Sequence, residues 1–192
     1  VRNTMHDRRV FLAIMAISFF WAIGSVLFIQ FPPLAKNVLN ASKEVASLFL
    51  VIFSVGVAIG SMSINALLKG TVSARYAPAS VLGMGVFVVL FSLVCQAWQS
   101  PPGVRLMDVG TFLSLPLAAP ALLALLGVAI AGGMFVVPLY AFLTTFVEKS
   151  QAARTIAANN IVNSGAMVIG ALVAVTLTAL GLALLDQLLF VA

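Results

Sequence analysis

Five long stretches without a charged residue constrain the fold of this 192-residue chain more than any other feature. Each is long enough for a helix to cross a bilayer, which takes about 20 residues. They cover residues 10–31, 45–68, 77–98, 121–146 and 156–180. Backbone amides in lipid need partners within the membrane, and the two-residue alternation of a barrel strand is absent. The sequence therefore predicts an all-α polytopic membrane protein.

Composition excludes a soluble domain. Hydrophobic residues make up 62% of the chain and charged residues 8%, against about 25% charged in soluble domains. The net charge of +5 arises from basic residues in the breaks between the apolar stretches. There is no glycine-rich phosphate loop and no basic helix face, so we expect no nucleic-acid partner.

A shorter apolar segment, residues 182–192, follows the fifth stretch. It contains one acid, Asp186, and at about 1.5 Å per residue it would reach only half-way across a bilayer. We interpret it as the beginning of a sixth span that the end of the chain interrupts. The whole of 1–192 is then a single membrane unit.

The basic residues also predict an orientation. With the amino terminus in the cytoplasm, seven of the ten basic residues lie in cytoplasmic breaks and three in outer breaks. The cytoplasmic set is Arg2, Arg8, Arg9, Lys69, Arg75, Lys149 and Arg154, and the outer set is Lys36, Lys43 and Arg105. Cytoplasmic loops of membrane proteins are enriched in Lys and Arg, which favours a cytoplasmic amino terminus.

The fifth stretch is predicted to have one small, polar face. Taking Asn159 as zero on a helical wheel, Asn163 lies at about 40° and Asn160 at about 100°. Asparagines facing lipid are costly, so this face is expected to meet protein or a water-filled cavity. Two interpretations stay open: hydrogen bonding between helices, and the lining of a gate or substrate cavity.

Further candidates lie in the other stretches. Gln30, Trp21 and Tyr140 are polar or amphipathic side chains that fit either a cavity or ordinary helix packing. Proline within a helix permits a kink, so the hinge candidates in the fourth stretch are Gly132, Gly133 and Pro138. The spacing of small residues predicts close helix packing at Gly56, Gly60 and Gly170.

Catalysis and cofactor binding have little support. The sole cysteine, Cys95, lies in an apolar stretch, and the sole histidine, His6, precedes the first one. Neither has a partner for a metal site or a nucleophile–base pair. We expect no enzymatic activity in these residues, no metal and no cofactor.

Four segments resemble the lysophospholipid transporter branch of the major facilitator superfamily: FFWAIGSVLFIQFPPLAKNVL (19–39), SLFLVIFSVGVAIGS (47–61), GVAIAGGMFVVPLYAFLTTFVE (127–148) and ARTIAANNIVNSGAMV (153–168). The resemblance is to the second half of that twelve-helix transporter. It implies that the chain holds helices seven to twelve, the last one truncated, in the bacterial inner membrane. An acidic residue of the superfamily's cytoplasmic loop signature is replaced by Asn65.

The resemblance implies transport of lysophospholipid by alternating access, feeding its reacylation. The implied partners are the lipid bilayer, the substrate, the missing N-terminal half and a fused or associated acyltransferase. Two alternatives stay open: a major facilitator that exports drugs or other amphiphiles, and a membrane anchor for a fused lipid acyltransferase. The residues expected at the cavity are Trp21, Gln30, Tyr140, Asn159, Asn160 and Asn163.

Overall fold

The computed structural model describes residues 7–99 and 105–190 and is helical throughout these ranges, apart from connecting turns and one isolated bridge. Among the described residues, five helices are long and apolar enough to cross a membrane. They are α1 (Arg8–Asn37), α2 (Lys43–Leu67), α3 (Ala77–Gln96), α5 (Ala118–Thr145) and α6 (Lys149–Ala179). The predicted all-α class and the five long apolar helices are confirmed, and they indicate a membrane protein.

Two short helices complete the described chain. Helix α4 (Val109–Ser114) lies in the long break between α3 and α5, and α7 (Leu184–Phe190) lies within the predicted sixth segment. The first span is longer than predicted, because α1 continues through Pro32 and Pro33 to Asn37. Proline has no N–H, so neither residue donates to the carbonyl four positions earlier, and the helix continues past both.

The long helices cross the bundle alternately, and its two ends are called here the Arg8 end and the Asn37 end. The guanidinium of Arg9 lies 5.7 Å from the ring centroid of Phe146, so α5 finishes at the Arg8 end. At the Asn37 end, the N–H of Ser42 donates to Met107 O over 2.9 Å. The N–H of Met107 in turn donates to Asn40 O, also over 2.9 Å, which joins the two loops there.

Helix pairing follows a reciprocal pattern. Taking α1–α2–α3 and α5–α6–α7 as two triplets, α1 packs most extensively on α6, and α5 packs most extensively on α2. The first helix of each triplet thus lies against the second helix of the other. Both pairs run parallel, while α1 begins at the Arg8 end and α5 at the Asn37 end. The two triplets therefore have opposite orientations in the bundle.

Small residues allow the backbones of these pairs to touch. A Cβ added at Gly56 would lie 2.5 Å from the Cβ of Ala129, and one at Gly60 would overlap the carbonyl oxygen of Ile130. In the other direction, a Cβ at Gly133 would lie 2.5 Å from Val57 O. At the α1–α6 crossing, a Cβ at Gly170 would lie 2.7 Å from Ala22 O. The predicted packing glycines Gly56, Gly60 and Gly170 all lie at helix crossings.

Aromatic rings fill the core near the Asn37 end. Phe49 of α2 lies edge-on to Phe31 of α1, with centroids 5.8 Å apart, and to Phe112 of α4, 5.9 Å apart. Trp98, just beyond α3, stacks on Phe112 at 5.1 Å. Edge-to-face contacts of this kind are favourable for aromatic pairs. These aromatic contacts therefore hold α4 against α2 and against the residues that follow α3.

We expect Gly60→Ala to destabilise the bundle, because its methyl group would overlap the Ile130 carbonyl. Overpacking of this kind costs about 1–3 kcal/mol. The matched control is Gly165→Ala in α6, where an added Cβ meets nothing within 4 Å. The midpoint of thermal unfolding in detergent should fall for Gly60→Ala and not for Gly165→Ala. Equal midpoints would contradict the backbone contact.

The carboxyl of Asp108 caps α4, and we expect its protonation to destabilise the first turn of that helix. The backbone N–H of Thr111 donates to Asp108 Oδ1 over 2.7 Å, and this bond, with others from the same turn, lowers the pKa of that carboxyl below its usual value. A lowered pKa stabilises the folded turn above the ordinary aspartate value of about 3.9, and this contribution disappears as pH falls through the lowered pKa. Protection of the Thr111 amide from hydrogen exchange should therefore decrease only in that acidic window. The substitution Asp108→Asn keeps an acceptor oxygen at the cap without a titrating carboxyl, so protection in that variant should show no such pH dependence.

Candidate functional site

A group of four polar side chains joins α1, α5 and α6 inside the bundle. Trp21 Nε1 donates to the hydroxyl oxygen of Tyr140 over 3.0 Å, and Asn163 Nδ2 donates to the same oxygen over 3.2 Å. Ser18 Oγ donates to Asn163 Oδ1 over 2.6 Å. These four residues are called the Tyr140 cluster. It brings together three of the residues predicted from the sequence: Trp21, Tyr140 and Asn163.

Helix geometry explains why these residues meet. Ser18 and Trp21 are three positions apart and so share a face of α1. Tyr140 follows the buried Pro138 on α5, and Asn163 lies on the buried face of α6. Ser18 and Asn163 are buried, whereas Trp21 and Tyr140 are partly exposed. The cluster therefore reaches from the interior of the bundle to its surface.

A second polar group lies toward the Asn37 end and joins α1, α6 and α7. Gln30 Nε2 donates to Gln187 Oε1, and both side chains are buried. Gln187 Nε2 donates to Thr178 Oγ1 over 3.1 Å and to Leu182 O over 3.0 Å. Gln30, Thr178 and Gln187 are called the glutamine cluster. The predicted residue Gln30 is thus bonded to a neighbouring helix of this chain.

The three asparagines of α6 occupy three different environments. Asn163 is buried and bonded within the Tyr140 cluster. Asn159 is buried, but neither Oδ1 nor Nδ2 has a hydrogen-bond partner among the described residues. Asn160 is exposed on the outside of the bundle, as is Ser164. Adjacent helical positions are about 100° apart, so the buried face includes Asn159 and excludes Asn160.

An apolar cavity of about 540 Å³ lies beside the Tyr140 cluster. Side chains of α1, α3, α5 and α6 form its walls, with one residue each from α2 and α7. Among them are Phe20, Ile23, Met84, Val88, Val173 and Phe190. Phe20 also meets Trp21 edge-on, with centroids 5.7 Å apart. Phe20 therefore contacts both the apolar cavity and the polar cluster.

The predicted hinge residues lie in a continuous helix. An added Cβ at Gly132 would lie 2.9 Å from Cε2 of Phe20, and Gly133 lies against Val57 of α2. Pro138 is buried one turn further along, and α5 runs unbroken from Ala118 to Thr145. The two glycines thus fit neighbouring helices closely.

Titratable groups are sparse in the described spans. No three His, Cys, Asp or Glu residues of the described ranges lie close enough together to hold a metal ion. Cys95 is buried in α3, and His6 lies outside the described residues. The described side chains of the two clusters and the cavity offer hydrogen bonding and apolar contact.

Two members of these clusters, Ser18 and Gln187, were not singled out from the sequence. Each lies within a largely apolar stretch, and Gln187 directly follows Asp186. In a span, a polar side chain needs a partner in a neighbouring helix. If this rule had been applied to every polar residue of the apolar stretches, Ser18 and Gln187 would have been among the predicted candidates.

We expect Tyr140→Phe to destabilise the protein, because Trp21 Nε1 and Asn163 Nδ2 would lose their common acceptor. Leaving a buried donor unpaired costs about 1–3 kcal/mol. The control is Tyr76→Phe, since no described group bonds to the hydroxyl of Tyr76. Thermal unfolding should show a lower midpoint for Tyr140→Phe alone. A similar change in both variants would contradict the hydrogen-bonded role of Tyr140.

Comparison of the chain with protein-family models, with curated proteins and with solved structures finds no match.

Proposed function

We propose that the chain is the C-terminal half of a major facilitator that moves lysophospholipid across the bacterial inner membrane. The observation that supports this most is the reciprocal pairing of two oppositely oriented helix triplets. Each six-helix half of a major facilitator consists of two inverted three-helix repeats. The proposal places the amino terminus in the cytoplasm, in agreement with the distribution of basic residues.

The pairing pattern favours a transporter over a simple anchor. An inverted repeat predicts that any contact between helices of different triplets has a counterpart with the roles exchanged. The α1–α6 and α5–α2 pairs are related in this way, and both are parallel. A membrane anchor needs only helices that are apolar and long enough to cross the bilayer. That function gives no reason for the α1–α6 and α5–α2 pairs to be equivalent.

The pairing of polar and apolar sites supports an amphipathic cargo. Trp21 and Tyr140 are partly exposed and belong to a polar cluster, while Phe20 beside them lines an apolar cavity. A volume of about 540 Å³ is within the range of small-molecule sites, about 300–1,000 Å³. A lysophospholipid combines one polar head group with one apolar chain and suits both surfaces.

The exposed polar residues of α6 support a partner half. Asn160 and Ser164 face away from the described bundle, although they lie within a membrane-spanning helix. Polar side chains in spans usually face protein or a water-filled cavity rather than lipid. The proposal assigns this face to the N-terminal half or to the central cavity. An acyltransferase that re-esterifies the delivered lipid, fused or associated, completes the proposed set of partners.

The test is uptake of labelled lysophosphatidylethanolamine into spheroplasts that express the full-length parent. Uptake by spheroplasts that express the parent should exceed uptake by spheroplasts that carry the empty vector. Asn163→Leu removes the amide that bonds Tyr140 and Ser18, and at normal expression it should lower uptake about tenfold, as expected for a loss of about 1.4 kcal/mol. Asn160→Leu should also lower uptake if its face lines the cavity.

Gln96→Leu is the matched control, because Gln96 is exposed at the end of α3, a helix that contributes to neither cluster. It should transport as the parent does. A parent that shows no uptake above empty vector would overturn the lysophospholipid cargo. Extrusion of amphiphilic drugs by the same cells would then favour the exporter.

A further inference from the structure

We propose that the α1–α6 interface contains an internal water site, formed by Thr155 and Asn159 and continuous with the Tyr140 cluster. The site lies in the half of the bundle toward the Arg8 end. Its ligand is neutral water rather than substrate or metal, and the inference does not depend on the transport proposal.

The polar residues of α6 that form the site lie on one face of the helix. Thr155, Asn159 and Asn163 are each four residues apart, so they lie on successive turns of one face of α6, separated by about 6 Å along the axis. All three side chains are buried. Asn163 already belongs to the Tyr140 cluster. The three residues therefore form a polar line from the first turns of α6 to that cluster.

The side chains of Thr155 and Asn159 have no hydrogen-bond partners among the described residues. Thr155 is 0% exposed and Asn159 is 1% exposed. No described group bonds to Thr155 Oγ1, Asn159 Oδ1 or Asn159 Nδ2. An amide buried in an apolar medium without hydrogen bonds costs roughly 2–7 kcal/mol. Water bonded to both residues would offset this cost.

Other threonines show that the case of Thr155 is unusual. Thr176 and Thr178 donate to the carbonyl oxygens four residues earlier, over 2.8 and 2.9 Å. Thr145 does the same over 2.7 Å. The hydroxyl of Thr155 makes no such bond and is available to a ligand.

The chemistry of these atoms identifies the ligand as water. The amide oxygen accepts, the amide nitrogen donates, and the hydroxyl does both. Buried water typically makes about three hydrogen bonds to otherwise unpaired groups, and Thr155 and Asn159 offer three such atoms. A cation would meet two neutral oxygens together with amide protons that repel it.

Exposed polar residues border the beginning of the polar line at the Arg8 end. Arg154 is exposed next to Thr155, and Gln151 is exposed one turn before it, so polar groups surround the beginning of the line. Beyond Asn163 the interface closes, because Gly170 lies against the backbone of Ala22. The hydrated line therefore begins at the Arg8 end and stops at the Tyr140 cluster.

The test measures reaction of introduced cysteines with a methanethiosulfonate reagent supplied on both sides of membrane vesicles that hold the full-length parent. The background is Cys95→Ala, which removes the sole cysteine of this chain; any cysteine elsewhere in the parent is replaced as well. Thr155→Cys and Asn159→Cys test the site. The controls are Leu143→Cys, buried in α5 near its end, and Ala174→Cys, buried in α6 beyond the closure.

Only the thiolate reacts, and it forms in contact with water. Thr155→Cys and Asn159→Cys should therefore react at least about tenfold faster than Leu143→Cys and Ala174→Cys. Asn159→Cys reacting no faster than Leu143→Cys would overturn the proposal. Fast reaction at all four positions would also overturn it, because that result indicates general opening rather than a defined site.

A measurement on the unaltered protein covers the case in which Asn159→Cys does not fold. In solid-state NMR of protein labelled with ¹⁵N-asparagine, the side-chain amide of Asn159 should show a cross-peak to water. The amide of the exposed Asn65 provides a positive control. A water signal for Asn65 without one for Asn159 would overturn the proposal.

Discussion

The backbone contact between α2 and α5 is the interaction on which the rest of the bundle depends. Helices in lipid gain little from apolar side chains alone, since the lipid is equally apolar, so close approach through small residues decides how they pack. Gly56 and Gly60 allow α2 to touch α5 at Ala129 and Ile130. Helix α5 also packs on α1 and α3 and is the most buried of the long helices. Its position therefore sets that of Tyr140, and through Tyr140 that of the partners contributed by α1 and α6.

The close contact between Gly170 of α6 and Ala22 of α1 lies between two polar regions of the α1–α6 interface. Gly170 lies against Ala22 near the middle, and Ser25 Oγ bonds to Ala22 O beside it over 2.7 Å. The Tyr140 cluster lies on one side of this contact and the glutamine cluster on the other. Each cluster joins three helices, so a displacement of α6 along α1 would break hydrogen bonds in both. Close packing and the buried hydrogen bonds thus favour the same position of α6 along α1.

The helices were predictable from the sequence because their main determinant is the thickness of the bilayer, which requires long charge-free runs. The small residues of α2 and α5 were also predictable, but the meeting of Gly56 with Ala129 depends on tertiary packing that spacing within one helix does not encode. The site was predictable only in part. Trp21, Tyr140 and Asn163 were identified, yet their common hydrogen bonds require three helices to be placed first. A helical wheel grouped Asn159 with Asn160, although the edge of the buried face runs between them.

The asparagines of α6 show what the bilayer requires of this chain. In water, an amide that lacks a protein partner is solvated at little cost, so its placement would carry small energetic weight. In a membrane span the same amide needs a hydrogen-bond partner, which is a group of this chain, internal water, or a helix or water-filled cavity outside the described bundle. Asn163 has the first kind of partner within the described chain. Asn159 is buried with no hydrogen-bond partner among the described residues, and the proposed internal water would supply one. Asn160 faces outward, which leaves a neighbouring helix or a water-filled cavity on that side. Three residues within one turn and a half of helix thus meet three environments: hydrogen bonds within this chain, the proposed internal water, and the outer side of α6.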